Sequence, residues 1–210
     1  DFTIDLAKER STVDEVYALI ISGLNLAYND LPEDNSFYAD KYAAKALLAR
    51  VYLQQGNYPA ARDAAHDVIE NSGRSLSARY ANAFNHDVNQ SEDIFAIQIT
   101  KQTGENEMTN LYASENNGGR GGDIEIRSTY LAKFTDPVDE RRNFNYINPD
   151  NGRRLTSKYT NQFGDVPLIR LAEMYLIRAE ANFRAGTFVG NTTVADINLL
   201  RTRANATNFL

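Results

Sequence analysis

The chain has 210 residues, 42% of them hydrophobic, with a formal net charge of −6 and a pI near 5.0. That length can bury a substantial core in one domain or two small ones, and the acidic balance, with no clustered lysine and arginine surface, argues against nucleic acid as a partner. The absence of cysteine excludes disulfides, thiolate metal sites and cysteine nucleophiles, and no window approaches the roughly 18 consecutive apolar residues of a membrane span.

The segment Thr3–Arg10 is too short to assign an element. Ser11 and Thr12 then offer a helix cap, with Asp14 and Glu15 placed to complete a capping box. Val13, Val16, Tyr17, Ile20, Leu24 and Ala27 keep helical spacing until Asn29, Asp30, Leu31 and Pro32 break it. A second helix is predicted from about Ala39 to Gln55, where Tyr42, Ala46, Leu48, Ala49, Tyr52 and Leu53 form a packed side rich in small residues. Gly56 stops it, Asn57, Tyr58 and Pro59 restart the chain, and Ala60–Glu70 makes a third helix ended by Asn71, Ser72 and Gly73.

The run 93–100, DIFAIQIT, is the best strand candidate. A long polar segment follows, Lys101–Arg127, with glycines around Asn116–Gly122; a loop of that length is either functional or disordered. Ser128–Thr135 reads as a short helix cut by Asp136 and Pro137. Phe144–Ile147 and Leu155–Thr160 flank a hairpin turn, Asn148–Gly152. From Pro167 to Asn182 the spacing predicts one long amphipathic helix, with Leu168, Leu171, Ala172, Tyr175, Leu176, Ala179 and Phe183 facing a core and Arg170, Glu173, Arg178 and Glu180 on its flanks. Proline at its start and Gly186 past its end are the expected punctuation.

The stretch Leu48–Gly56 aligns without a gap on Arg178–Gly186, with Ala49 matching Ala179 and Gly56 matching Gly186, and another helix follows each glycine. In the first copy, Leu48, Ala49, Tyr52, Gly56, Tyr58 and Ala61 fall at the spacings of a tetratricopeptide repeat. The expected fold is thus mostly α: a single helical domain over 1–210, with a first tetratricopeptide-like hairpin at 39–73, an irregular insertion with a short strand and a hairpin at 93–160, and a second hairpin at 167–204.

Catalytic and metal constellations are weak. His66 and His86 have no second histidine at ligand spacing, and no Ser-His-Asp or His-Glu-x-x-His pattern occurs, so a solvated or locally hydrogen-bonded role is expected for both. Asp136, Asp139 and Glu140 fall short of the six or more oxygens calcium takes, and pairing with Arg141 and Arg142 accounts for them more simply. The glycine-rich loop lacks the Lys-Ser/Thr of a phosphate-binding loop. Sugars, however, are held by flat aromatic faces and planar polar groups, and this loop offers Tyr112, Asn116, Asn117, Arg120 and Asp123. A loop without a ligand is the competing reading. The chain has no tryptophan to stack on, and the helical Tyr17, Tyr42, Tyr52 and Tyr175 are read as core.

Five stretches, KYAAKALLARVYL at 41–53, SEDIFAI at 91–97, DPVDERR at 136–142, VPLIRLAEMYLIRAEA at 166–181 and INLLRTRA at 197–204, resemble the SusD/RagB family in sequence and order. The resemblance implies a non-catalytic cell-surface nutrient-binding lipoprotein of the outer membrane. It would deliver oligosaccharide to a SusC-like TonB-dependent transporter, without cofactor, metal or nucleic acid, and variable loops would supply the ligand contacts. A peptide-binding or protein-interaction scaffold is the alternative. The chain is similar to the middle of such a protein: the lipidated cysteine, the early helices and the C-terminal segment are not among its residues, so membrane attachment is expected through an anchor absent from this chain.

Overall fold

The computed structural model describes residues 9–210. Its helical layer is built from five helices that pack in the order α1 (Val13–Asp30), α2 (Lys41–Gln55), α3 (Tyr58–Asn71), α7 (Leu171–Ala185) and α8 (Thr193–Arg203). Between α3 and α7 the chain leaves the layer for an insertion holding a 3-10 turn (Tyr80–Ala83), β1 (Asp93–Ile97), α4 (Glu107–Tyr112), a second 3-10 turn (Glu115–Asn117), α5 (Ser128–Leu131), α6 (Glu140–Asn143), β2 (Asn145–Ile147), β3 (Arg154–Thr156) and β4 (Val166–Arg170). The fold is mostly α, made of tetratricopeptide-like helix hairpins with short strands between them. Among the described residues, no helix is long and apolar enough to cross a membrane.

Local signals account for the helices. Thr12 and Glu15 close the capping box on α1, Asp40 accepts the amide of Ala43 at the start of α2, and Asn57 with Pro59 opens α3. Gly56 and Gly186 cap α2 and α7 in the left-handed region. Ala43, Ala46 and Ala49 of α2 meet Ala61, Ala64, Ala65 and Val68 of α3, and Met174, Ile177 and Ala181 of α7 complete the core. Alanines in a seam let paired helices approach closely. The expected apolar stripe of α1 is not buried: the helix packs mainly on α2, with the Tyr28 hydroxyl donating to Asp67 of α3 (2.8 Å), no residue in it is fully covered, and Val13 and Val16 are 70% and 45% exposed.

Two expectations for the 167–182 segment are corrected. Val166–Arg170 is a strand, paired antiparallel with β1 in the register Asp93 to Arg170 and Ile97 to Val166, and the helix begins only at Leu171. Pro167 fits because a two-stranded sheet has only edge strands, where a missing N–H is tolerated. The core face also differs. α7 packs between α3 and α8 and buries Leu171, Ala172, Met174, Ile177, Arg178, Ala179, Ala181 and Asn182, while Leu168, Leu176 and Phe183 are exposed.

Arg178, expected on a flank, is fully buried. Its guanidinium makes a paired contact with the carboxylate of Asp196 on α8 (2.8 and 2.7 Å) and reaches Nδ1 of His66 (2.9 Å) and Glu70 (3.3 Å). It occupies the position that Leu48 holds in the first hairpin, so one hairpin is packed by an aliphatic side chain where the other uses an ion pair. A bidentate pair from Arg50 to Glu173 (both 2.7 Å) ties α2 to α7. Fully buried Glu92, at the start of β1, gathers Arg170, Arg203 and the amide of Ser77. These pairs fasten the insertion to the helical layer.

Candidate functional site

The long polar segment is ordered by the β2–β3 hairpin beside it. Asn106 opens α4, and its side-chain amide donates to the carbonyl of Gly164 (2.7 Å). After Tyr112 the chain doubles back, with the amide of Arg120 donating to Asn110 (3.1 Å) and that of Asp123 to Leu111 (2.9 Å). The hairpin holds this turn from outside: Asn148 and Asn151 donate to the carbonyl of Gly121, Arg153 to that of Gly122, and the amide of Ser114 to the hydroxyl of Tyr146 (2.9 Å). Two glycines are required here. A Cβ on Gly119 would run into the carbonyl of Ala113, and one on Gly122, at φ +73°, into the side chain of Leu155.

This arrangement leaves a cleft of about 550 Å³ between the end of α4, the loop segment 125–127, α5 and the chain after β3. That volume lies within the roughly 300–1,000 Å³ of small-molecule sites. Three tyrosines line it. The rings of Tyr112 and Tyr159 lie against each other, centroids 5.2 Å apart and tilted by 40°, and Tyr130 on α5 packs edge-on to Phe134 at 5.2 Å and is 46% exposed. The polar lining comes from Glu125, Arg127, Thr129, Lys133, Thr156 and Lys158. Burial, followed by the neighbouring phenol of Tyr112, pushes the Tyr159 hydroxyl above the usual tyrosine range, so it stays a neutral donor at physiological pH.

Behind the cleft, Tyr80, Phe84 and Phe144 form an aromatic cluster with centroids 5.2–5.4 Å apart. Burial pushes the Tyr80 hydroxyl up to about 12. The Lys158 ammonium lies 5.2 Å from the Phe84 ring and Arg170 lies 4.7 Å from it, a double cation–π contact. Burial first, then the charge of Arg170, lowers the pKa of Lys158 below the ordinary lysine value.

Of the five residues expected to bind ligand, the structure brings only Tyr112 to the cleft wall. Asn116 and Asn117 lie in the second 3-10 turn, where Asn117 donates to Ser114 (3.3 Å), and Arg120 donates to Asp123 (2.6 Å) within the loop. Tyr130, Tyr159, Lys133 and Lys158 went unread in the sequence. The available signal was aromatic density, with tyrosines at 112, 130, 146 and 159 inside an otherwise polar insertion.

The histidines stay outside this cleft. His66 meets Arg178, whereas His86, expected to be solvated or hydrogen-bonded, has both ring nitrogens covered, with Nε2 3.4 Å from Asp93 and, among the described residues, no hydrogen bond on either. The acidic run is distributed: Asp139 pairs with Arg141 (2.7 Å), Glu140 with Arg79 (2.7 Å), and Asp136 accepts the amide of Thr207 (2.6 Å). Arg142 takes no part in these pairs.

Compared with known proteins, residues 21–209 match the model of the SusD family. The chain belongs to the SusD family. It is 43% identical over 90 residues to the starch-binding protein SusD of Bacteroides thetaiotaomicron, an alignment taking in 43% of this chain and 15% of that protein. A solved SusD superfamily protein from the same species superposes with a TM-score of 0.75 at 26% identity, covering 96% of this chain and 50% of that one. Surface glycan-binding protein A from Bacteroides uniformis shares the fold, with a TM-score of 0.79 at 17% identity over 98% of this chain and 53% of its own. The chain thus spans about half the length of these two solved proteins. Ser91–Ile97 and Val166–Ala181, two of the stretches that carry the resemblance in sequence, are in space the two partners of the β1–β4 pair and the start of α7.

Proposed function

We propose that this chain carries the ligand cleft of a non-catalytic oligosaccharide-binding protein. In this reading the protein faces outward at the outer membrane and passes its ligand to a SusC-like TonB-dependent transporter. The observation that carries the reading is the tyrosine cleft. Pyranose rings present flat C–H faces and a rim of hydroxyls, and Tyr112, Tyr130 and Tyr159 offer aromatic faces with Thr129, Thr156 and Glu125 as hydrogen-bonding partners around them. Membership of the SusD family and the likeness to a starch-binding relative support it. Asn116, Asn117, Arg120 and Asp123 then serve by shaping the loop beside the cleft. Stacking and several weak hydrogen bonds suit modest affinity and fast release, which a delivery step needs.

Isothermal titration of oligosaccharides into the wild-type chain and into Tyr112→Ala and Tyr159→Ala tests the site. The expected result is a loss of about tenfold in affinity for each variant, from about 1–1.5 kcal/mol per aromatic contact. Equal heats for all three proteins would remove the cleft from the proposal. A second reading, peptide binding by the helical scaffold, is favoured by the apolar groove on α1 lined by Val13, Val16, Tyr17 and Ile20. Peptide binding insensitive to the tyrosine substitutions would move the site there.

A further inference from the structure

Charge is distributed unevenly over this acidic protein. Of its 21 described lysines and arginines, thirteen pair with a carboxylate. Five of the other eight line two clefts on either side of α5. Arg127, Lys133 and Lys158 belong to the tyrosine cleft, and Arg142 and Arg154 to a neighbouring cleft of about 690 Å³. Among the described residues, Glu125 is the one carboxylate lining either. In a protein of net charge −6, where most cations have found a carboxylate, this clustering leaves an excess positive potential at one place.

Lys158 makes the point most sharply. It is half-buried, it lies with Arg170 over the same Phe84 ring, and among the described residues no carboxylate reaches it. A partly desolvated cation without an anion is unfavourable until a ligand supplies one. A neutral sugar would leave that charge unmatched. An anionic substituent would match it while the ring still stacked on the tyrosines.

We propose that the tyrosine cleft takes an acidic oligosaccharide, stacked on Tyr112, Tyr130 and Tyr159, with an anionic substituent held by Lys133 and Lys158. The single turn of α5, about 10 Å across, separates the two clefts, so a further acidic unit of the same chain reaches Arg142 and Arg154. The shared ligand chemistry is a pyranose bearing a carboxylate or a sulfate ester. The inference rests on the oligosaccharide reading above and adds the charge of the ligand.

The test is titration calorimetry of the whole chain with four probes: oligogalacturonate, its methyl ester, a sulfated galactan oligosaccharide and a neutral malto-oligosaccharide. Acidic probes are expected to bind at least tenfold tighter than the methyl ester. That advantage should shrink several-fold between 0.05 and 0.5 M salt, as the screening length falls from more than 10 Å toward about 4 Å. Lys158→Met and the exposed Lys133→Met should each remove most of the advantage of the acidic probes over the methyl ester. Preference for oligogalacturonate or for the sulfated probe identifies the anion, and either supports the proposal. Equal binding of the ester and the acid overturns the charge assignment and leaves the oligosaccharide reading standing. Binding of oligoglutamate as tightly as oligogalacturonate overturns the sugar part, and no binding by any saccharide overturns both readings.

Discussion

In the helical layer Arg178 and Asp196, both fully buried, satisfy each other with two hydrogen bonds, and Arg50 does the same with Glu173 across α2 and α7. Beside α5, Lys158 is half-buried and Arg127 and Lys133 are exposed, and among the described residues none of the three pairs with a carboxylate. Both regions draw on the same residue types. The difference is that the layer has been completed by the chain itself, whereas in the proposed reading the cleft is completed by an anionic ligand. Charge in the first region supports the fold, and charge in the second, on the proposal above, costs stability that binding would return.

The comparison can be broken at its strongest point. Asp196→Ala leaves Arg178 buried without its partner and should destabilise the chain by about 3–5 kcal/mol in denaturant unfolding, while the double change Arg178→Met with Asp196→Leu should cost far less. If the single and double variants unfold alike, the pair is not what holds α7 to α8. Next in size, Gly119→Ala forces a methyl against the carbonyl of Ala113 and should cost about 1–3 kcal/mol. That loss should fall on the insertion: proteolysis would cut near 113–126 while the helical circular dichroism persists.

Lys158→Met sharpens the contrast, because it should stabilise the unliganded chain, by up to about 1 kcal/mol, while weakening acidic ligands. The pH dependence has the same origin. The folded pKa of Lys158 lies below its unfolded value, with burial the larger cause and Arg170 the smaller, so the unfolded chain binds the proton more readily. The cost is therefore fully present at neutral pH and is relieved as pH rises through the folded pKa toward the ordinary value of 10.5; wild type should gain on Lys158→Met in alkaline unfolding titrations. An effect of similar size but more local reach is expected from Thr12→Ala, which removes the capping box of α1 and should cost about 1 kcal/mol. Since α1 contributes no buried side chain, that loss should register as faster amide exchange in α1 alone.

Legibility in the sequence followed the range of the forces involved. The boundaries of α2 and α3, the caps at Thr12 and Gly186 and the turn between β2 and β3 are set by residues within a turn or two of one another, and all were readable. The first residues of the Pro167 segment fit a helical period through Leu168 and Leu171, and nothing local announces that β1, some seventy residues earlier, takes Val166–Arg170 as its partner. The site was legible only in Tyr112. Tyr130 and Tyr159 come from separate segments and meet it through the packing of α5 and the chain after β3.

By itself, then, the sequence determined a helical scaffold and its family, since period, caps and small-residue seams are local properties that survive in any context. Tertiary structure alone decided that Arg178 is core rather than flank, that Val166–Arg170 is strand, and which aromatic and cationic side chains converge beside α5. Those outcomes depend on partners distant in sequence, Asp196 for Arg178 and β1 for β4, whose contribution exists only once the chain has closed around them.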